Sequence, residues 1–317
     1  MSIEALLSRG DGTDERVDLA SWNRERLRPD ELLWIDVMGM DADETDLLGR
    51  ALGLSDSAAE ALRGEVEDPG ATVLDGAVEI RVLSVSAEDE TPAAMRILVG
   101  SGWIVTQHRR VIEMLDERRE RITDQREIGL LSPVEFLVTI LGWHVDSFFR
   151  TAEQLELEVD RLDDAALRGE EDMLRQLVAM RRRIARCRRV AGLHREVFAE
   201  LARPDFLPDL DDRESTALAL VTDRLDRAYD ALSNAREMLI GSFDVHMTRT
   251  AQRTNDIMRI LTWASVILLP AVVIAGIMGM NFKVGFFDNP NVFFVVVGLM
   301  LALAVVTLLV ARWRGWL

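Results

Sequence analysis

The chain is nearly without cysteine. Cys187 stands alone among 317 residues, so neither an intrachain disulfide nor a cysteine-based zinc centre can form, which fits a reducing compartment. Histidine is also sparse: His108, His144, His194 and His246 lie far apart, with no His-Glu-x-x-His helix and no glycine-rich phosphate loop. Cys187 has no base at helical spacing. An enzyme with a metal, phosphate or thiol centre is therefore not expected. Positive charge is outnumbered, with 37 Lys and Arg against 54 Asp and Glu and a formal net charge of -17, which argues against nucleic acid as a partner. The stretch from Met1 to Gly10 lacks the basic start and long apolar run of a cleavable signal peptide.

What is present is concentrated near the C-terminal end. Ile260 to Met280 contains no charge, and neither does a second apolar run from Val292 to Ala311. About twenty such residues suffice to cross a hydrocarbon core of about 30 Å. The segment between the runs, Asn281 to Asn291, is long enough only for a tight return, so a transmembrane hairpin is expected. Arg249, Arg253 and Arg259 precede the first run and Arg312 and Arg314 follow the second, whereas the connection balances Lys283 against Asp288. The excess of arginine at the outer ends predicts a multi-pass protein of the plasma (inner) membrane with both termini cytoplasmic.

The remainder reads as soluble. Leu32 to Val37 has strand length, Asp43 to Leu54 reads as a helix ahead of Gly64, and Val78 to Val85 alternates like a strand with one wet face. Met95 to Val99 and Trp103 to Gln107 flank Gly100-Ser101-Gly102 and predict a hairpin. Residues 1–131 are thus expected to form a cytoplasmic α/β or α+β domain. Ser132-Pro133-Val134-Glu135 carries the signature of a capped helix, expected to run to about Arg168. A second helix from Glu170 to about Ala202 carries Arg181, Arg182, Arg183, Arg186, Arg188 and Arg189, opposite acids of the first, so residues 132–208 predict an antiparallel helical hairpin with solvated charged faces.

Residues 209–280 form the longest expected element, a stalk helix that continues into the membrane at about residue 260. Its upper part repeats apolar residues at Leu218, Val221, Leu225, Ala228, Leu232, Ala235 and Leu239, steps of three and four that mark a face packed against other helices, of this chain or of identical copies. Below Leu239 the frame meets Ser242, His246, Arg249 and Arg253, so dry packing should stop there. Inside the membrane it selects Asn255, Met258, Thr262, Ser265, Leu269, Val272 and Gly276, while Trp263, Val266, Ile267 and Ile274 fall elsewhere. Two readings stand for this stripe. It is a close-packing seam between membrane helices, or it lines a pore with Met258, Leu261 and Leu269 as apolar constrictions and Asn255, Thr262 and Ser265 as wetted steps.

Gly279-Met280-Asn281 ends the first span, preceded by Asn255-Asp-Ile-Met258-Arg-Ile-Leu261-Thr262 and by Leu269-Pro270. With the C-terminal hairpin and the Trp34-Ile35-Asp36-Val37 strand, this pattern resembles the CorA family of divalent metal cation (Mg2+/Co2+) channels, within the CorA/ZntB superfamily. The resemblance implies a homopentamer with a funnel of cytoplasmic domains, pore-lining stalk helices and an external Gly-Met-Asn mouth over residues 281–291, followed by a second transmembrane helix at 292–311 and a cytoplasmic tail at 312–317. It also implies closure by intracellular Mg2+ held between subunits, for which Asp244 occupies a similar position to one such carboxylate.

The loop chemistry supports that expectation independently. Mg2+ releases water reluctantly, and a ring of neutral Asn281 carbonyls can hydrogen-bond the hydration shell without stripping it. The sequence departs from the family at Met278, Val272 and the near-neutral loop 282–288. Two alternatives accompany the Mg2+ and Co2+ reading: a ZntB-like Zn2+ transporter, with or without proton coupling, for which His246 is a candidate Zn2+ or proton ligand, and a non-conducting membrane-tethered signalling or scaffold protein.

Overall fold

The computed structural model describes residues 2–11, 13–39, 42–86, 91–112, 115, 131–168, 172–203, 206–207, 210–280 and 291–314. The chain divides into two units, Met1–Phe243 and Asp244–Leu317. The first contains strands β1 (Ser2–Arg9), β2 (Asp14–Arg16), β3 (Glu31–Met38), β4 (Gly70–Leu74), β5 (Ala77–Ser84), β6 (Ala93–Gly100) and β7 (Trp103–His108). They form one sheet in the order β2-β1-β3-β7-β6-β5-β4. β3 and β7 pair in parallel, and the other neighbours are antiparallel. Parallel strands at a sheet centre are covered on both faces, and β3 follows that rule. Leu32 and Trp34 join one core, and Leu33, Ile35 and Val37 join another.

Helices α1 (Ala42–Leu52) and α2 (Asp56–Arg63) cover the second face, burying Leu48, Ala51, Leu52 and Leu62. The helix expected over Asp43 to Leu54 is α1, and α2 is additional to it. The chain breaks at Gly53, whose φ of 61° is a left-handed value that glycine adopts without a Cβ clash, and Ser55 caps the restart by accepting the Ala58 N–H at 3.3 Å. The expected hairpin is present, with Gly102 at φ 83° in the turn between β6 and β7.

The first face is covered by helices α3 (Pro133–Arg168), α4 (Met173–Leu201) and the upper part of α5 (Asp212–Met278). α3 starts as the sequence indicates. Ser132 Oγ accepts the Glu135 N–H at 3.0 Å, and Glu135 Oε2 accepts the Ser132 N–H at 2.9 Å. α5 begins with a second capping box: Asp211 Oδ1 accepts the Glu214 N–H at 2.7 Å, and Glu214 Oε2 accepts the Asp211 N–H at 3.0 Å. The two boxes are joined, because Ser132 Oγ donates to Glu214 Oε1 at 2.5 Å. One serine therefore satisfies the start of α3 and ties it to the start of α5.

The charged faces of α3 and α4 meet at Arg183, whose guanidinium bonds Glu158 at 2.5 and 3.0 Å. Other arginines of α4 turn toward α5 instead. Arg188 donates to the Tyr229 hydroxyl at 2.9 Å, and Arg195 pairs with Asp226 at 2.5 Å. Beneath them Leu218, Val221, Leu225, Ala228, Leu232, Ala235 and Leu239 are all buried in the core shared with α3, α4 and the sheet. This settles the partner of the three-and-four repeat: it is the chain's own N-terminal unit. Each buried leucine contributes about 1.5–3 kcal/mol.

Replacing Ser132 by alanine removes an N-cap acceptor and strands a buried Glu214 oxygen. Ser132→Ala is expected to lower stability by about 1–3 kcal/mol, read as an earlier thermal unfolding transition of the detergent-purified chain, while Ser132→Thr keeps the hydroxyl and stays near wild type. Equal transitions for Ala and wild type would contradict the joined-box description.

Candidate functional site

The second unit is built from the lower part of α5 and from α6 (Asn291–Trp313), and both helices are long and apolar enough to cross a membrane. On α5 the half-buried positions in the apolar stretch are Trp263, Ile267, Pro270, Ile274 and Met278, with Ala271 beside them. On α6 they are Val292, Val296, Met300, Ala304 and Thr307, ending at the fully buried Ala311. Steps of three and four on both helices mark one partly covered stripe on each.

The sequence-selected stripe lies elsewhere on α5. At 100° per residue, Asn255, Met258, Leu261, Thr262, Ser265, Leu269, Val272 and Gly276 fall within an arc of about 120°, centred about 160° from the half-buried stripe. All eight are exposed in the single chain, and Met258, Leu261, Leu269 and Val272 are 56%, 59%, 65% and 64% exposed. A single copy thus leaves its most apolar constriction candidates without a partner. Trp263, Ile267 and Ile274 belong to the half-buried stripe, and Val266 is exposed outside both stripes.

The polar atoms of the stripe are prepared as acceptors. Thr262 Oγ1 donates to the Met258 carbonyl at 2.7 Å, and Ser265 Oγ donates to the Leu261 carbonyl at 2.9 Å. With each hydroxyl proton committed to its own helix, the oxygen lone pairs face outward, the polarity that suits hydrogen atoms of a cation's water shell. Pro270, on the half-buried stripe, has no N–H, so the Val266 carbonyl loses its helical donor outside the lining arc. Gly276 has nothing within 4 Å of where a Cβ would stand.

α5 ends at Met278. The Gly279 N–H bonds the Ala275 carbonyl at 2.9 Å, and the Met280 N–H bonds the Ile277 carbonyl at 3.2 Å. Gly279 does not use a left-handed φ, and a Cβ there would meet the Ala275 oxygen at 3.4 Å. Both are ordinary for a non-glycine residue, so the described residues alone do not require glycine here. Asn281 and the rest of the connection to residue 290 lie outside the described residues.

At the other end of the unit, Asp244 is exposed on α5, within the same arc as the candidate lining. Among the described residues no group of three His, Cys, Asp or Glu side chains is close enough to hold a metal ion. Asp223 and Asp226, higher on the helix, are engaged by Arg227 and Arg195. His246 is half-buried, and its carbonyl accepts the Thr250 hydroxyl at 2.9 Å. Arg249, Arg253, Arg259, Arg312 and Arg314 are all exposed at the ends of the two apolar stretches.

Comparison with known proteins gives this arrangement a context. The cobalt/magnesium transport protein CorA of Methanocaldococcus jannaschii is 26% identical over 100% of both chains. The protein of the same name from Thermotoga maritima is 24% identical, covering 79% of this chain and 73% of that one. The solved structure of the Methanocaldococcus jannaschii CorA magnesium transporter superposes with a TM-score of 0.85 at 22% identity over 100% of both chains, which establishes the shared fold. The model of the CorA-like Mg2+ transporter protein family matches residues 29–312. The match takes in the sheet from β3 onward, the three long helices and both apolar stretches, and the chain belongs to the CorA-like Mg2+ transporter protein family.

Proposed function

We propose that this chain, a divalent cation transporter of the CorA family rather than an enzyme, works as a homopentameric channel for hydrated Mg2+ and also Co2+. The observation that carries the reading is the division of α5 in the membrane unit. One side is half-buried, and the other, about 160° away, gathers hydroxyls, small residues and exposed apolar side chains. Copies of α5 arranged around an axis would turn that side inward. Met258, Leu261 and Leu269 would then be the apolar constrictions, and Asn255, Thr262 and Ser265, with Val272 and Gly276 beyond them, would form the rest of the wall.

At the outer mouth, over residues 281–291, Gly279-Met280-Asn281 would present a ring of Asn281 carbonyls to the water shell of the ion. Mg2+ exchanges its water slowly and prefers an octahedron of oxygen at about 2.0–2.1 Å, so recognition through the shell avoids the cost of dehydration. Transport would be downhill, because two charges entering an inside-negative membrane gain about 4.6 kcal/mol per 100 mV. The exposed arginines at the ends of both spans support a plasma-membrane orientation with the N-terminal unit and the tail at 312–317 in the cytoplasm.

Closure by internal Mg2+ would use Asp244. One carboxylate is far short of six oxygens, so bound waters and a carboxylate from a neighbouring copy would complete the site. Asp244 is exposed and has no ion-pair partner among the described residues, which leaves it available for that role.

Three outcomes follow from this arrangement. Asn281→Ala should abolish Mg2+ uptake by proteoliposomes while the oligomer still elutes at wild-type size; uptake at the wild-type rate would remove Asn281 from the mouth. Asp244→Ala should keep conducting when internal Mg2+ is raised to a level that silences wild type, and an unchanged inhibition curve would remove Asp244 from gating. Native Cys187 is buried, so introduced thiols can be read over a low background. Thr262→Cys and Ser265→Cys channels should be blocked by a charged, water-soluble thiol reagent and Ile274→Cys should not, whereas equal block at all three positions would contradict the assigned lining.

A further inference from the structure

In the core between the sheet and the helices, His144 of α3 and His194 of α4 lie with ring centroids 4.7 Å apart, both with no solvent exposure. Phe148 meets the two rings edge-on at 5.2 and 5.5 Å, and Phe198 packs on His194 at 6.4 Å. The hydrogen bonds of His194 fix its protonation state. Its Nε2 accepts the Leu83 N–H of β5 at 3.0 Å, so that nitrogen carries no proton. Its Nδ1 therefore carries one and donates to the Val190 carbonyl at 2.7 Å. A second proton on His194 would have to sit on the nitrogen that faces the Leu83 N–H, breaking the link between α4 and β5.

His144 is in a different position, because neither of its ring nitrogens has a hydrogen-bond partner among the described residues. The charged groups of the surrounding elements are engaged elsewhere. On β5, Glu79 is held by Arg96 and Arg81. Between α3 and α5, Asp146 pairs with Arg224, and between α4 and α5, Arg195 pairs with Asp226, both at the partly exposed rim. Among the described residues no carboxylate is paired with either imidazole. Burial, with His194 adding to it, pushes His144 well below the ordinary histidine range, and burial pushes His194 down to about 4.

We propose that the His144–His194 pair is an acid-sensitive latch that holds the α3–α4 hairpin to β5 while both imidazoles are neutral and releases it when acidification protonates them. The latch belongs to the N-terminal unit alone and operates whether or not the chain conducts ions. Its direction follows from where protons bind. The opened segment takes them up near an ordinary histidine pKa of 6.5, whereas in the closed one burial holds His144 well below that range and His194 down to about 4. The latch is therefore at full strength above about pH 6.5 and weakens as the pH falls below that value. Between about pH 7.5 and about pH 5.5, each histidine favours opening by about tenfold, and the pair by about a hundredfold.

The test is amide hydrogen exchange of the full-length protein in detergent at those two pH values, corrected for the intrinsic pH dependence of exchange. In wild type the protection of peptides carrying Leu83 and the Val190 to Phe198 turn should fall by about a hundredfold at the lower pH, while β1 stays protected. In His144→Phe, which keeps a ring and loses both nitrogens, the fall should shrink to about tenfold. In His144→Leu combined with His194→Gln, whose amide oxygen can still accept from Leu83, protection should no longer depend on pH. Wild-type protection that ignores pH would overturn the proposal, as would a fall in His144→Phe as large as in wild type.

Discussion

A single helix, α5, has to solve two burial problems along one frame, and the rest of the chain is arranged around its solutions. From Leu218 to Leu239 it turns an apolar edge into the core of the N-terminal unit, where the hydrophobic effect supplies the driving force. In the apolar stretch that force is absent between helices, because lipid tails are as apolar as leucine, so contact there depends on shape and on polar groups. The half-buried stripe of α6 carries small and medium residues, Ala304, Thr307 and Ala311 among them. On α5, the side opposite its half-buried stripe carries the Thr262 and Ser265 hydroxyls and the exposed apolar residues Met258, Leu261 and Leu269.

The N-terminal unit fixes the start of that helix tightly. The capping boxes of α3 and α5 share the Ser132–Glu214 hydrogen bond, so the first turns of both helices are set by one polar cluster. Below it, three helices lie on a sheet whose central strand is buried on both faces, and a buried Arg96–Glu79 pair at 2.7 Å joins β5 to β6. A well-packed body changes shape in discrete steps rather than gradually. That property is what a regulatory input, whether divalent ions at Asp244 or protons at the histidine pair, needs to act on.

Much of this was legible from residue patterns. The Ser132-Pro133-Val134-Glu135 signature gave the start of α3 to the residue, and the three-and-four repeat from Leu218 identified a face that the structure buries without exception. The limits were physical. β1, β2 and β4 went unread because β1 mixes apolar and polar residues without a strict alternation, β2 has three residues, and β4 is a short edge strand. α2 went unread because its 8 residues make little more than two turns, too few for a helical repeat to stand out. The stripe from Asn255 to Gly276 could be drawn from sequence, but its opposition to the half-buried stripe could not, since that depends on which side of α5 the fold covers. The His144–His194 pair joins residues far apart in sequence, and no local signal predicts such a contact.

The central claim is that hydrated Mg2+ passes through a ring of α5 helices down its gradient. It is tested most directly by ion flux into proteoliposomes of the purified protein, comparing Mg2+, Co2+ and Zn2+ with and without a proton gradient. The account predicts entry of Mg2+ and Co2+ at rates indifferent to the proton gradient. Zn2+ entry that requires protons, with little for Mg2+, would contradict it in favour of a proton-coupled zinc transporter, and no flux of any of the three would contradict conduction itself.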